Sequence, residues 1–158
     1  MPTLRQAADE FLAQHRIAVA GVSRDGKLPA NLIYRRLRAN GYEVFAVNPN
    51  ADEVEGDRCY PDVGSIPDGV DGVVVATTPE VGVRVVEQCA AAGIRRVWLH
   101  RGIGPGSLSD EAVASCREHG ISVIPGGCPN MYGRTSDPGH RFMKAMLRMG
   151  GKLPRTVD

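Results

Sequence analysis

The loop from residue 21 to residue 28 holds the residue types that bind phosphate, and it leads directly into a helical segment. Backbone N–H groups at a helix start and the positive end of the helix dipole attract anions. The hydroxyl of Ser23 and the charges of Arg24 and Lys27 would strengthen that attraction. Because the loop is neither a complete GxGxxG fingerprint nor a P-loop, a tight turn with solvated charges is the alternative interpretation. The residues favour a site for one small phosphate group.

A second loop bears on which nucleotide could carry that phosphate. Dinucleotide sites commonly place Asp or Glu about 20 residues beyond the glycines, where it binds ribose hydroxyls. Here the corresponding strand ends in Asn48 and Pro49, which also suit a simple turn. The missing acid disfavours NAD, and the missing arginine gives NADP no support. Asp52 and Glu53 lie slightly further on and keep an NAD site open as an alternative.

Two later loops also follow apolar segments and could face a ligand. The first contains Thr77, Thr78 and Pro79, for which helix capping is an equally good explanation. The second begins at His100 and is rich in glycine from Gly102 onward, so the backbone could approach a ligand closely. We interpret His100 as a polar residue lining a cleft, not as a catalytic one.

These loops are joined by a repeated unit of short apolar strand, turn, amphipathic helix and glycine. Nearly continuous apolar strands separated by helices are typical of a parallel sheet covered on both faces, and right-handed crossovers make it doubly wound. We therefore predict a Rossmann-like α/β domain spanning residues 1–158, with a core from about 17 to 131. The predicted strands are 17–21, 43–48, 72–77, 96–100 and 121–124, and the predicted helices are 3–14, 29–40, 78–92, 107 or 109 to 119, and 138–149.

Composition narrows the function classes. The 158 residues carry 19 Lys and Arg against 18 Asp and Glu, so no basic footprint for nucleic acid exists. No apolar run approaches a membrane span and no signal peptide is visible, so we expect a cytoplasmic protein that does not bind membranes. The four cysteines have no zinc or redox spacing and are expected to be reduced and mostly buried.

No group of residues has the pattern of a reaction centre. A nucleophile, a base and an oxyanion site cannot be assembled from the candidate loops, so we expect a binding protein with no catalytic residue and no metal site. Cys128 has no histidine or lysine beside it in the sequence and is interpreted as a buried structural thiol. The apolar stripe of the last helix, which includes Phe142 and Met146, is consistent with core packing or a homodimer interface.

Taken in order, the loops resemble those of the small stand-alone CoA-binding proteins, whose fold is that of the CoA-binding domain of the succinyl-CoA synthetase α subunit. The resemblance runs from about Ile17 to Met131, and it depends on the order and spacing of its pieces. The pieces are 19–23 (VAGVS), 41–49 (GYEVFAVNP), 55–56 (EG), 59–61 (CYP), 66–67 (IP), 70–71 (VD), 97–99 (VWL), Gly102 and 128–129 (CP).

The resemblance implies that coenzyme A or an acyl-CoA lies across the carboxyl edge of the sheet. It would place Gly21, Val22, Ser23, Arg24 and Lys27 at the phosphates, Asn48 and Pro49 at the adenosine, Thr77, Thr78 and Pro79 at the pantetheine, and His100 and Gly102 along the cleft. The lysine that follows the second strand in synthetase-like relatives is absent, since residues 50–52 read Asn-Ala-Asp. Recognition of the adenosine 3′-phosphate would then need Arg24, Lys27 or Arg58.

The resemblance also leaves the biochemical role open between two classes. The synthetases use a phosphorylated histidine from a further domain and a nucleotide-binding partner, neither of which is visible in this chain. We therefore expect a non-catalytic carrier or metabolite sensor. The alternative is a subunit of a CoA-dependent acyl-transfer or ligase complex that acts with a separate nucleotide-binding chain.

Overall fold

A twisted sheet with helices on both faces organises the chain. The computed structural model describes residues 2–101, 106–133, 138–151, 153–154 and 156–157. Two short 3₁₀ turns, Val63–Ser65 and Pro129–Met131, follow strands of this sheet. The strands are β1 (Arg16–Ala20), β2 (Glu43–Val47), β3 (Glu53–Val54), β4 (Asp57–Tyr60), β5 (Gly72–Val75), β6 (Arg96–Leu99) and β7 (Ser122–Pro125). The helices are α1 (Leu4–Leu12), α2 (Pro29–Ala39), α3 (Pro79–Ala91), α4 (Asp110–Glu118) and α5 (Pro138–Met149).

The strand order is β3-β4-β2-β1-β5-β6-β7, and every neighbouring pair is parallel except β3 with β4. This confirms the doubly wound α/β class. The predicted number of five strands is wrong, because the described residues form seven. The two missed strands make a hairpin, Glu53–Val54 and Asp57–Tyr60, which carries charged residues and lacks an apolar run. Its turn residues Glu55 and Gly56 both have positive φ angles, of 54° and 77°, as a two-residue hairpin turn requires.

Alternate residues of each central strand supply the two halves of the core. In β1, Ile17 and Val19 face the side covered by α1, α2 and α5, whereas Ala18 and Ala20 face the side covered by α3 and α4. Burial on both faces explains why these strands read as continuous apolar runs. On the first side, Trp98 of β6 is fully buried and its ring meets that of Phe11 edge-on, with centroids 5.4 Å apart.

The strand order reverses between β1 and β5, which are neighbours at the centre of the sheet. After β1 the chain adds β2 and β4 on one side, and from β5 onward it adds strands on the other side. The helices that follow β1 and β5 lie on opposite faces, so their N-termini flank the crevice between these strands. Such a switch point is where doubly wound sheets bind ligands.

The two terminal helices match their predictions to different degrees. Thr3 and Gln6 form a capping box at the start of α1, which the sequence predicts as a helix over residues 3–14. In α5 the predicted apolar stripe is divided: Leu147 is buried, but Phe142 and Met146 are 68% and 42% exposed. All four cysteines are buried and form no disulfide, as expected. Among the described residues, no helix is both long enough and apolar enough to cross a bilayer.

Candidate functional site

A cleft of about 440 Å³ opens at the carboxyl ends of β1 and β2, beside the first turns of α3. It brings together four predicted site residues, Gly21, Asn48, Pro49 and Thr77. It also contains residues that the sequence reading did not single out, among them Arg84 of α3. The full lining is Ala20, Gly21, Val47, Asn48, Pro49, Asn50, Pro61, Thr77, Val81, Arg84, Val85 and Gln88.

The floor of the cleft depends on a close backbone approach at Gly21. Its φ is +105°, and a Cβ there would lie 2.2 Å from the carbonyl oxygen of Ala76. The β1 and β5 loops therefore touch through their backbones at the switch point. Only glycine satisfies both the backbone angle and the space at this position.

The loop after β1 is held in shape by the buried side chain of Asn31 in α2. Asn31 Oδ1 accepts from Ser23 N–H (3.0 Å), and Asn31 Nδ2 donates to Ser23 O (2.7 Å) and to Glu55 Oε1 (2.8 Å). The Ser23 hydroxyl in turn accepts from Asp25 N–H (3.2 Å). The N–H groups of Ser23 and Asp25 are thus already paired, and this differs from the sequence expectation of a loop of free donors.

The remaining donors and charges of this loop have different surroundings. Within the described part of the chain, the N–H groups of Val22 and Arg24 make no hydrogen bond. Val22 is fully buried, whereas Arg24 is exposed, so the Arg24 N–H is the one that an anion can reach without a change in the loop. Both Arg24 and Lys27 are exposed and lie outside the cleft lining. Arg24 Nη2 does reach across to Asn50 O (3.3 Å), which places its guanidinium at the rim of the cleft.

Asn48 connects the loops after β1 and β2. Its Nδ2 donates to Val22 O (2.9 Å), and its Oδ1 accepts from Asn50 N–H (2.9 Å). Because each bond fixes one end of the amide, the side chain cannot rotate freely. Each end still has one hydrogen-bonding position left, since a primary amide can donate twice and accept twice.

The helices that start at the cleft lack side-chain caps. The N-cap residues Leu28 of α2 and Thr78 of α3 make no capping hydrogen bond, and each is followed by proline. By contrast, Thr3 caps α1 and Ser109 caps α4. Thr78 occupies the N-cap position that the capping interpretation predicts, but its hydroxyl makes no capping hydrogen bond. Uncapped first-turn N–H groups at these two helices favour an anion between them.

His100 lies apart from the cleft. It is 8% exposed and follows the last residue of β6, on the same side of the sheet as Trp98, where His140 of α5 acts on its charge. Burial, with a contribution from His140, lowers the pKa of His100 to about 4, so its imidazole is neutral at pH 7. Pro79 and Thr78 start α3 next to the cleft but do not line it. Gly102 lies outside the described residues.

Sequence reasoning missed Arg84 and Gln88 because their role depends on how α3 packs. Together with Val81 and Val85 they occupy one face of the helix, at the spacing of three and four residues that a helical turn produces. The available signal was an arginine flanked at helical spacing by Val81 and Val85. Asp52 and Glu53, the acids that kept an NAD site open, do not line the cleft. Arg58 lies over the Tyr60 ring, 5.1 Å from its centroid, and is also outside the lining.

Comparison with known proteins agrees with this arrangement. The ADP-forming acetate–CoA ligase I of Archaeoglobus fulgidus is 31% identical over 73% of the chain, and the chain spans 18% of that ligase's length. A hypothetical protein from Pyrococcus horikoshii OT3 is 29% identical, with a TM-score of 0.73 over 82% of this chain and 91% of that one.

A third similar protein is the dinucleotide-forming acetyl-coenzyme A synthetase 1 of Ca. Korarchaeum cryptofilum, solved with phosphate and ADP. It is 32% identical, with a TM-score of 0.60 over 69% of this chain and 25% of the synthetase. The model of the family described as "CoA binding domain" matches residues 15–134. That match covers the sheet and the cleft, and the chain therefore belongs to the CoA-binding domain family.

Proposed function

We propose that this protein binds coenzyme A or an acyl-CoA along the carboxyl edge of its sheet and does not catalyse a reaction by itself. The observation that carries the proposal is the cleft at the switch point. It lies beside α3, whose N-cap residue makes no capping bond, and its lining contains one cation and no carboxylate. An anionic nucleotide is the ligand class that such a lining favours.

The cleft suits the adenosine end of the ligand. Ligand pockets commonly measure about 300–1,000 Å³, so a cleft of about 440 Å³ holds part of CoA and leaves the rest along the sheet edge. Apolar side chains, Val47, Pro49, Val81 and Val85 among them, would contact the faces of the base. The amides of Asn48 and its neighbours would then meet polar groups of the base and ribose.

The loop after β1 would receive the pyrophosphate. The free N–H group of Arg24 and the N-terminus of α2 would supply donors, and the exposed side chains of Arg24 and Lys27 would supply charge. Thr77, which lines the cleft on the β5 side, marks the direction in which the pantetheine would continue. These assignments keep the predicted phosphate loop, Asn48, Pro49 and Thr77, and they add residues of α3 to the site.

A binding role needs no activated thiol, and the three cysteines whose pKa values are shifted are all shifted towards the protonated form. Burial raises the pKa of Cys89 to about 12 and of Cys116 to about 11, and it also raises the pKa of Cys59, so these thiols are protonated at neutral pH. His100 is neutral and lies outside the cleft lining. A carrier or metabolite sensor needs none of these groups to react.

A second candidate is a subunit of a CoA ligase. One relative is named as subunit alpha of the ADP-forming acetate–CoA ligase II of Pyrococcus furiosus, and this chain spans 28% of its length. The same cleft would then hold CoA for chemistry carried out elsewhere in a complex. Co-purification of a nucleotide-binding partner chain, with acyl-CoA formation only by the pair, would favour this candidate over a carrier.

Isothermal titration with CoA, acetyl-CoA, NAD⁺ and NADH tests the proposal directly. We expect heat with CoA and acetyl-CoA, and no comparable binding of NAD⁺ or NADH, because no carboxylate lines the cleft to bind ribose hydroxyls. Binding of NADH without binding of any CoA species at millimolar concentration would refute it and support the redox-sensor alternative.

Variants of the β1 loop locate the phosphates. Arg24→Ala and Lys27→Ala should each weaken CoA binding, since each removes one charge near the uncapped start of α2. Arg95→Ala is the matched control, because Arg95 is exposed beside the amino end of β6, at the opposite edge of the sheet. Unchanged affinity in both loop variants would place the pyrophosphate elsewhere.

A further inference from the structure

We infer that Arg84 recognises a phosphate monoester on the ribose of the bound nucleotide, so that the cleft prefers CoA to dephospho-CoA. This inference rests on the proposed function, because it assumes that an adenine nucleotide occupies the cleft. It assigns to a helix residue the positive charge that residues 50–52, Asn-Ala-Asp, do not supply after the second strand. The inference concerns which CoA species this chain selects.

The electrostatics of the cleft single out Arg84. It is the one ionisable residue among those lining the cleft. Within the described part of the chain its guanidinium has no ion pair and no hydrogen bond. Other arginines on the neighbouring elements are neutralised: Arg35 pairs with Glu55 and Arg38 pairs with Asp57. The cleft therefore presents one uncompensated positive charge, and an anionic group of the ligand is its natural partner.

The position of Arg84 fits the ribose better than the pyrophosphate. It lies on the second turn of α3 and shares the cleft with Asn48 and Asn50, which follow β2, the strand whose end borders the ribose in doubly wound nucleotide sites. The pyrophosphate donors, by contrast, lie in the loop after β1. A cation across the cleft from Asn50 thus meets the sugar, where a 3′-phosphate would extend.

The other candidate cations for the 3′-phosphate, which the sequence suggested, are less well placed than Arg84. Lys27 and Arg58 lie outside the cleft lining, and the Arg58 guanidinium is stacked on Tyr60. Arg24 reaches the rim, where it donates to Asn50 O. A guanidinium can hold a phosphate through two parallel hydrogen bonds, which an exposed and unpaired Arg84 is free to make.

Because a ribose phosphate occurs in CoA and in NADP, the experiment uses paired probes that differ in that phosphate only. Titrations compare CoA with dephospho-CoA, and NADP⁺ with NAD⁺, on the wild-type protein and on Arg84→Gln. For wild type we expect CoA to bind roughly tenfold to a hundredfold more tightly than dephospho-CoA, the range of a charge-assisted hydrogen bond. Arg84→Gln should reduce that ratio to near one, because it should weaken CoA binding far more than dephospho-CoA binding.

The outcomes separate the inference from the proposed function. If wild type binds neither CoA nor dephospho-CoA, both fail. If it binds both equally, or if Arg84→Gln keeps the wild-type ratio, the inference fails and CoA binding stands. A phosphate preference seen with NADP⁺ over NAD⁺ but without CoA binding would overturn both. Arg95→Gln controls for the loss of one charge, and the fluorescence of Trp98, the one tryptophan, checks that each variant is folded.

Discussion

Gly21 and Ala76 bring the loops after β1 and β5 into backbone contact, since a Cβ on Gly21 would lie 2.2 Å from the Ala76 carbonyl oxygen. A backbone oxygen cannot move aside as a flexible side chain can. We therefore predict that Gly21→Ala lowers the free energy of unfolding by roughly 2–5 kcal/mol, from steric overlap and from a positive φ that alanine tolerates poorly. Urea denaturation followed by Trp98 fluorescence measures this loss.

Gly41→Ala is the matched control for this experiment. Gly41 also has a positive φ, of +86°, but no atom lies within 4 Å of a Cβ built there. It should lose only the backbone contribution, about 1–2 kcal/mol. Equal losses in the two variants would show that the contact between Gly21 and Ala76 does not constrain the cleft.

Asn31 should be essential for the shape of the phosphate loop. Its Nδ2 donates to Ser23 O and Glu55 Oε1, and both of these are acceptors. Asn31→Asp puts an oxygen where that donor stands, in a side chain that is fully buried, so we predict a loss of roughly 3 kcal/mol at pH 7. Faster hydrogen exchange at the Ser23 amide would report the loosened loop.

Low pH supplies the control for Asn31→Asp. A protonated aspartic acid can donate a hydrogen bond as the amide does, so the difference in stability between the variant and wild type should shrink as pH falls from about 6 to about 4, the interval that a loss of roughly 3 kcal/mol implies. A difference that stays constant from pH 7 to pH 4 would mean that lost volume or strain, and not the lost donor, causes the effect.

The sequence was sufficient for the features that local chemistry determines. Continuous apolar runs such as that of β1 predicted buried parallel strands, and the β1 loop identified the edge where the cleft opens. The hairpin from Glu53 to Tyr60 was missed because its pairing depends on β2, against which β4 aligns Cys59 with Ala46. No local apolar pattern signals a strand of this kind.

The composition of the cleft was harder to predict than its location. Asn48 and Thr77 follow strands that end at the same edge, so their approach is a consequence of the parallel topology. Arg84 instead reaches the cleft through the packing of α3 on the sheet. His100 shows the reverse case: it also follows a strand at this edge, but its register turns it to the other face, away from the cleft lining. Whether a residue lines the cleft therefore depends on the face of the sheet or helix that its side chain occupies, which the sequence alone does not give.

Protonation of His100 should limit stability in mild acid. Its pKa in the folded protein is about 4, below the ordinary value of 6.5, so the unfolded chain binds the extra proton between these values. The stabilisation is therefore present above pH 6.5 and is lost as pH falls to about 4, with a total near ~3 kcal/mol. His100→Gln should reduce the slope of unfolding free energy against pH in that window.

His15, which is exposed, provides the comparison for His100. His15→Gln should leave the slope between pH 6.5 and pH 4 as it is in wild type. If both variants keep the wild-type slope, other groups control the acid response, and His100 does not remain buried and neutral. Urea titrations at half-unit pH steps give the required data.

Thr78 allows helix stability and ligand binding to be separated. It occupies the N-cap of α3 with extended φ and ψ angles of −68° and 158°, but its side chain makes no capping bond. Thr78→Asp should supply that cap and raise the free energy of unfolding by about 0.5–1 kcal/mol. The new carboxylate stands at the start of the helix that borders the cleft, so it should repel an anionic ligand and weaken CoA binding severalfold.

Ser109→Asp, at the α4 N-cap where Ser109 already accepts from Ala112 N–H (3.1 Å), should change neither the free energy of unfolding nor the affinity for CoA appreciably. A stabilised Thr78→Asp protein that binds CoA as tightly as wild type would show that no phosphate approaches the start of α3.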